Sequence, residues 1–154
     1  ALLLGHMAAD FVLVICLSIP VVIVGFIIGV RFPTGPLGVV VFILIAALWG
    51  VAYTGIPYAI ALKTGNPGAV NSSFMLFFPF AFLTTSYVPV EAMTGWMATI
   101  ARYNPVTYLL AGLRSLFIEW QWDELGESLI AIGALALVSQ SMSFKALNGR
   151  VKQK

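Results

Sequence analysis

Long apolar runs separated by short polar turns make up most of this chain. Four of the runs are long enough, or nearly so, for a helix to cross the hydrocarbon core of a bilayer, which takes about 20 residues. The pattern predicts an all-α integral membrane protein in which residues 1–154 form a single transmembrane domain. The predicted transmembrane helices cover residues 9–30, 37–62, 69–88 and 128–144.

The segment between the third and fourth runs is amphipathic instead of continuously apolar. Its first apolar residues recur at i, i+3, i+4 and i+7, the spacing that puts them on one face of a helix. Such a helix is too polar to span a bilayer and too apolar to leave it. The residues of this face are Met93, Trp96, Met97 and Ile100.

A second amphipathic helix is predicted to begin at the dipeptide that follows. Asn104 is a preferred N-cap residue, and Pro105 suits the first helical position. We therefore expect two short external helices within residues 90–118, lying in the outer interface or re-entering the membrane between the last two spans. The second apolar face consists of Leu109, Leu113, Leu116 and Phe117.

Composition excludes a soluble domain. The chain is 60% hydrophobic and 9% charged, with a mean hydropathy of +1.00, whereas soluble domains carry about 25% charged residues. The single cysteine, Cys16, cannot form an internal disulfide.

The distribution of basic residues predicts the orientation. One side of the membrane would hold five basic and no acidic residues, and the other three basic and five acidic residues. Basic residues favour the cytoplasm, so we expect a multi-pass protein of the plasma (inner) membrane with a cytoplasmic C-terminus and an external segment 89–127. The five basic residues are Lys63, Lys145, Arg150, Lys152 and Lys154.

No catalytic, metal or cofactor site is predicted, and we expect the chain not to be an enzyme. The P-loop pattern GxxxxGK[ST] is absent, so ATP-driven work would need a partner. Zinc needs three or four ligands, and the chain has one histidine, His6, and one cysteine. Asp10, the one ionisable residue near a span, is interpreted first as an interfacial cap or ion-pair partner and only second as a functional residue. The small net charge of +2 gives no reason to expect nucleic acid as a partner.

Polar and aromatic residues near the start of the third span are candidates for a transport pathway or a dimer interface, because polar residues inside a membrane are often functional. Helix–helix hydrogen bonding or N-capping explains the polar residues at least as well, and ordinary packing is the more frequent role of the aromatic residues. These residues are Asn71, Ser72, Ser73, Phe74, Phe77 and Phe78.

The stretch "FFPFAFLTTSYVPVEAMTGWMATIARYNPVTYLLAGLRSL" resembles the C-terminal signature of type-2 ATP-binding-cassette exporter permeases, in particular the daunorubicin-resistance permease-like subfamily. "GHMAAD" and "IALKTGNPGAVN" resemble other parts of that pattern, and Thr94 departs from it by replacing the usual proline. The residues of the signature in the external region are Pro79, Pro89, Glu91, Gly95, Trp96, Asn104, Pro105, Thr107 and Arg114.

The resemblance implies a permease with six spans, of which this chain would hold the C-terminal four. It also implies a homodimer of permeases and a separate cytoplasmic ATPase that binds ATP and magnesium and drives export of a hydrophobic drug, lipid or glycan. The turn that would contact the ATPase comprises Lys63, Thr64, Gly65 and Asn66. The alternative is a non-transporting membrane assembly or immunity protein of the same fold.

Overall fold

The computed structural model describes residues 2–66, 68, 75, 77–84 and 94–151. These residues form helices and their connecting turns, without a strand among them. The helices are α1 (Leu2–Ile28), α2 (Gly35–Thr64), α3 (Phe77–Phe82), α4 (Trp96–Tyr103), α5 (Pro105–Ser115) and α6 (Trp122–Val151).

Three of these helices are long and apolar enough to cross a membrane: Gly5–Ile28 in α1, Gly35–Thr64 in α2 and Trp122–Gly149 in α6. The chain is therefore a multi-pass integral membrane protein. The span predicted at 69–88 lies mostly outside the described residues, and its longest described part is residues 77–84, which include α3.

The helices end at different residues from the predicted spans. Gly29, with φ 104°, follows the end of α1 at Ile28. α6 begins at Trp122, before the predicted residue 128, because Asp123 and Glu124 favour the positive N-terminal end of the helix dipole. Its polar first turns therefore extend the helix beyond its apolar part.

Serine hydroxyls on α6 bond directly to the backbone of α2. Ser139 Oγ donates to the Ala52 carbonyl oxygen and Ser143 Oγ to that of Gly55, each at 2.5 Å. A Cβ atom on Gly55 would lie 2.8 Å from the backbone of Ser139, so the missing side chain is what allows the close approach. Small residues and hydroxyl bonds join helices in membranes, where the hydrophobic effect does not.

These two bonds and a third show that α2 and α6 run in the same direction. Gln140 Nε2 donates to the Val51 carbonyl oxygen at 3.0 Å. The three bonded pairs are 87, 88 and 89 residues apart, so residue numbers increase together along both helices. The two helices therefore begin at one end of the molecule and finish at the other.

α1 packs antiparallel against the other face of α2. A Cβ on Gly50 would lie 2.8 Å from Val14 Cγ2. One turn before Val14, Asp10 Oδ2 accepts a hydrogen bond of 3.3 Å from Tyr58 OH, and the His6 ring lies 5.5 Å from that of Tyr58. Among the described residues, Asp10 thus has a tyrosine as its hydrogen-bond partner, and it lies within α1 and not at a helix cap.

An aromatic cluster joins the α1–α2 turn to the end of α5. The Phe32 ring lies 4.5 Å from that of Phe117 and 5.7 Å from that of Phe42. Beside it, Thr34 Oγ1 donates a hydrogen bond of 2.8 Å to the Leu116 carbonyl oxygen. The C-terminal end of α5 is therefore held on the spanning helices.

Candidate functional site

The candidate site is the junction between α4 and α5, where Asn104 caps the second helix. Asn104 has an extended backbone, and its Oδ1 accepts a hydrogen bond of 3.0 Å from the Val106 N–H. Pro105 occupies the first helical position, where the missing N–H costs nothing. The cap predicted from the sequence is confirmed.

Asn104 also joins α5 to the segment that follows α3. Its Nδ2 donates a hydrogen bond of 2.7 Å to the Leu83 carbonyl oxygen. The side chain is 3% exposed, and a buried backbone carbonyl without a partner is costly. The Asn104 amide oxygen therefore accepts from the backbone N–H at the start of α5, and the amide nitrogen donates to a backbone carbonyl 21 residues earlier in the chain.

A pair of threonines reinforces this connection. The hydroxyls of Thr84 and Thr107 are 2.9 Å apart, and one donates to the other. Thr84 is 1% exposed, so the bond is shielded from water. Residues 83 and 84 are thus bonded to the first turn of α5 at two points.

α5 runs antiparallel along the first half of α6. Gly112 opposes Ser128, where a Cβ on the glycine would lie 2.6 Å from that of the serine. At the other end of α5, Pro105 shares a groove with Leu135. Leu135 lies roughly 20 Å along α6 from Trp122 at 1.5 Å per residue, so the capped start of α5 lies beside the middle of a membrane-spanning helix.

The buried face of α5 is the predicted apolar face. Leu109 and Leu116 are buried in the core cluster, and Leu113 packs against it. Ile45 of α2 and Ile132 of α6 belong to the same cluster. The face therefore fixes α5 against both spanning helices.

The described part of the apolar face predicted for α4 is exposed, and Met93, the first residue of that face, lies outside the described residues. Trp96 is 68% exposed, and Met97 and Ile100 are also exposed among the described residues. α4 begins after Gly95, whose φ of 65° suits glycine. Tyr108 OH donates a hydrogen bond of 2.7 Å to the Arg102 carbonyl oxygen, which fixes the corner between α4 and α5.

The turn after α2 is exposed and locally ordered. Gly65, with φ 67°, ends the helix and donates from its N–H to the Ala61 carbonyl oxygen. Thr64 Oγ1 donates to the Ile60 carbonyl oxygen at 2.8 Å and accepts from the Asn66 N–H at 3.3 Å. Lys63 lies in the last helical turn, so all four predicted contact residues share one surface of the molecule.

Three of the predicted site residues lie in α3 and not at the junction between α4 and α5, and six others lie outside the described residues. Phe77 contacts the Tyr53 ring at 5.2 Å, and Phe78 stacks on Phe82 at 6.4 Å. Pro79 accepts a hydrogen bond of 2.9 Å from the Leu83 N–H. The predicted residues outside the described part of the chain are Asn71, Ser72, Ser73, Phe74, Pro89 and Glu91.

Sequence reasoning missed the polar residues of α6. Ser139 and Ser143 are four residues apart in an apolar helix, a spacing that would have indicated a helix contact. Two buried oxygens on α6, Ser128 Oγ and Gln140 Oε1, have no hydrogen-bond partner among the described residues. The described residues also contain no group of histidine, cysteine and carboxylate side chains that could hold a metal.

Comparison with known proteins adds the following matches. The family model for the ABC-2 type transporter matches residues 1–118. The chain is 28% identical over 117 residues to a daunorubicin resistance ABC transporter permease protein of Streptomyces coeruleorubidus, covering 75% of this chain and 41% of that protein. It is 30% identical over 123 residues to a putative transport permease of Porphyra purpurea, covering 76% of this chain and 41% of that protein.

A third relative is a probable doxorubicin resistance ABC transporter permease protein of Mycobacterium tuberculosis. It is 26% identical over 90 residues, which cover 58% of this chain and 33% of that protein. The chain thus aligns with about two fifths or less of the length of these relatives. No solved structure matches.

Proposed function

Because the chain belongs to the ABC-2 type transporter family, we propose that it is part of the permease of an ATP-driven exporter that moves a hydrophobic drug, lipid or glycan outward. Two of its relatives are drug-resistance ABC transporter permeases. The membrane-spanning helices and the absence of a P-loop from the sequence fit a subunit that forms the path and leaves ATP hydrolysis to a partner.

The partner would be a cytoplasmic ATP-binding-cassette ATPase that holds ATP and magnesium. We assign its contact to the turn at Lys63–Asn66, which is exposed and held by its own hydrogen bonds. A preformed turn can transmit a movement of the ATPase to α2, because no ordering of the loop has to precede the contact. This assignment places the ends of α2 and α6, and the C-terminus, in the cytoplasm of a plasma-membrane protein.

The single observation that supports a working role for the α4–α5 region is the position of Asn104. Its capped helix start lies beside the middle of α6 and is bonded to Leu83. This geometry supports a helix that re-enters the membrane from the external side. We assign α4 and α5 the role of a lid over the exit of the path, moved through the hydrogen bonds to residues 83 and 84.

The exposed apolar face of α4 would be covered by lipid or by a second permease copy. A path between two copies would let ATP binding rock them between inward-facing and outward-facing states. The two copies would be identical, so the permease would be a homodimer.

Efflux from membrane vesicles tests the proposal. The full-length permease and its ATPase would be co-expressed, and ATP-dependent, vanadate-sensitive transport of daunorubicin and of fluorescent lipids would be measured. The matched control carries the ATPase with its P-loop lysine replaced by alanine. Transport that survives this replacement would contradict an ATP-driven mechanism. A folded complex that hydrolyses ATP but moves no substrate would favour the non-transporting assembly or immunity protein.

A further inference from the structure

A groove opens between the ends of α2 and α6 that lie at the same end of the molecule. Its volume is about 580 Å³. Apolar side chains form most of its described walls, and two lysines are the charged side chains among the described lining residues. The lining residues include Ile60, Leu62 and Lys63 of α2 and Met142, Lys145 and Ala146 of α6.

The two lysines lie at different depths. The hydrogen-bonded residues of α2 and α6 differ in number by 87 to 89, which puts Lys145 level with Pro57. That is about six residues before Lys63, or roughly 9 Å farther from this end of the molecule along the helix axis. Lys145 therefore leaves α6 four residues before the end of the candidate membrane helix Trp122–Gly149, and Lys63 leaves α2 at its last turn.

An ammonium group at the depth of Lys145 needs a polar or anionic partner. A long lysine stem lets its charge reach toward the membrane surface along an apolar wall. Here that direction leads along the groove toward Lys63. None of the described residues that line the groove carries a carboxylate, so these residues place no negative charge beside the two lysines.

We propose that this groove binds one anionic phospholipid of the adjacent leaflet. The phosphate group would lie between the Lys63 and Lys145 ammonium groups, and an acyl chain would cover the wall formed by Ile60, Met142 and Ala146. Basic pockets between transmembrane helices bind anionic headgroups in this way. The site does not depend on the proposed transport function, although it shares Lys63 with the turn assigned to the ATPase.

The apolar walls favour a lipid over a free phosphate ion. A free ion would contact the two ammonium groups and leave the surfaces of Leu62 and Met142 uncovered. Burial of acyl methylene groups against such surfaces adds to the binding free energy. A zwitterionic headgroup has no net charge, so the two lysines would attract it less strongly than an anionic one.

Native mass spectrometry of the full-length permease without nucleotide tests the proposal. The purified protein would be titrated with dioleoyl phosphatidylglycerol and with dioleoyl phosphatidylcholine. We expect one tightly retained phosphatidylglycerol. Removing one positive charge, as in Lys63→Gln or Lys145→Gln, should weaken its affinity about fivefold, at the usual contribution of a basic residue near an anionic surface. The double variant should lose the preference over phosphatidylcholine.

Matched variants separate a specific site from general charge attraction. Arg31→Gln removes one positive charge from the α1–α2 turn, at the other end of the molecule, and should leave binding unchanged. Lys145→Arg keeps the charge and should retain the lipid. Thermal unfolding without added lipid would establish that each variant is folded.

Three outcomes would overturn the proposal. One is equal retention of the two lipids by the unaltered protein, and another is an unchanged preference in the double variant. The third is full displacement of the lipid by millimolar inorganic phosphate, which would indicate a simple anion site. Because no transport is measured, a failure here leaves the efflux experiment unaffected, and the reverse also holds.

Discussion

The Asn104 side-chain nitrogen donates a hydrogen bond of 2.7 Å to the Leu83 carbonyl oxygen, 21 residues earlier in the chain. The oxygen of the same amide caps α5. The residue thus combines a local role, which starts a helix, with a long-range role, which holds that helix to the segment after α3.

Replacement of Asn104 by serine should separate these two roles. Serine is a good N-cap but is too short to reach Leu83, whereas alanine removes both interactions. We expect Asn104→Ala to lower the free energy of unfolding by about 1–3 kcal/mol, from the lost cap and the lost hydrogen bond. Asn104→Ser should lie between alanine and the unaltered protein.

Denaturation by sodium dodecyl sulfate would measure these stabilities, and vesicle efflux would measure transport. If the connection to Leu83 matters for export, both variants should lose transport although the serine variant keeps its cap. Full transport by Asn104→Ser at equal expression would show that the cap alone suffices.

The Thr84–Thr107 hydroxyl pair predicts non-additive stability. Replacing either threonine by valine leaves a buried hydroxyl without its partner, which costs about 1–3 kcal/mol. Replacing both removes the two hydroxyls together, so the double variant should be less destabilised than the sum of the single variants. A double-mutant cycle measured by denaturation gives the coupling energy directly. Strict additivity would mean that the two hydroxyls do not interact.

The close contact at Gly55 predicts that alanine is too large there. Its Cβ would approach Ser139 to within 2.7–2.9 Å, including a backbone atom that cannot move aside easily. We expect Gly55→Ala to cost about 1–3 kcal/mol by separating α2 from α6. Gly133→Ala is the matched control, because a Cβ there has no neighbour within 4 Å. The control should be neutral or slightly stabilising in the same denaturation assay, and equal losses in both variants would argue against this packing.

The proposed orientation predicts which side chains an impermeant thiol reagent can reach. Cys16 is exposed, so Cys16→Ser provides the background. In intact cells, Glu119→Cys should be labelled and Asn66→Cys should be labelled only after the membrane is opened. Both side chains are exposed in the structure, so a difference in labelling would report the side of the membrane and not burial in the protein. Labelling of Asn66→Cys alone would reverse the orientation.

The parts of the fold that depend on local chemistry could be predicted from the sequence. The α5 cap follows from Asn104 and Pro105, which act within one helical turn. The apolar face containing Leu109 and Leu116 follows from helical spacing. Neither inference needs to know which helices are neighbours.

The parts that depend on distant partners could not be predicted in this way. A membrane helix is apolar on every side, so spacing does not show which face meets α2 or α6. The bond from Ser139 to Ala52 joins residues 87 positions apart. The second partner of Asn104, Leu83, is a backbone carbonyl, which carries no signal in the side-chain pattern.

The parallel course of α2 and α6 has a consequence for the chain between them. If both helices cross the bilayer, Thr64 lies at the opposite surface from Trp122, where the next of these helices begins. A connection between opposite surfaces must pass through the bilayer an odd number of times. The helices α4 and α5 together can enter and leave the bilayer by the same surface. They then add no net crossing to the count. A further span between Thr64 and Trp122, as the sequence predicts at 69–88, would match this parity, and it stays a prediction.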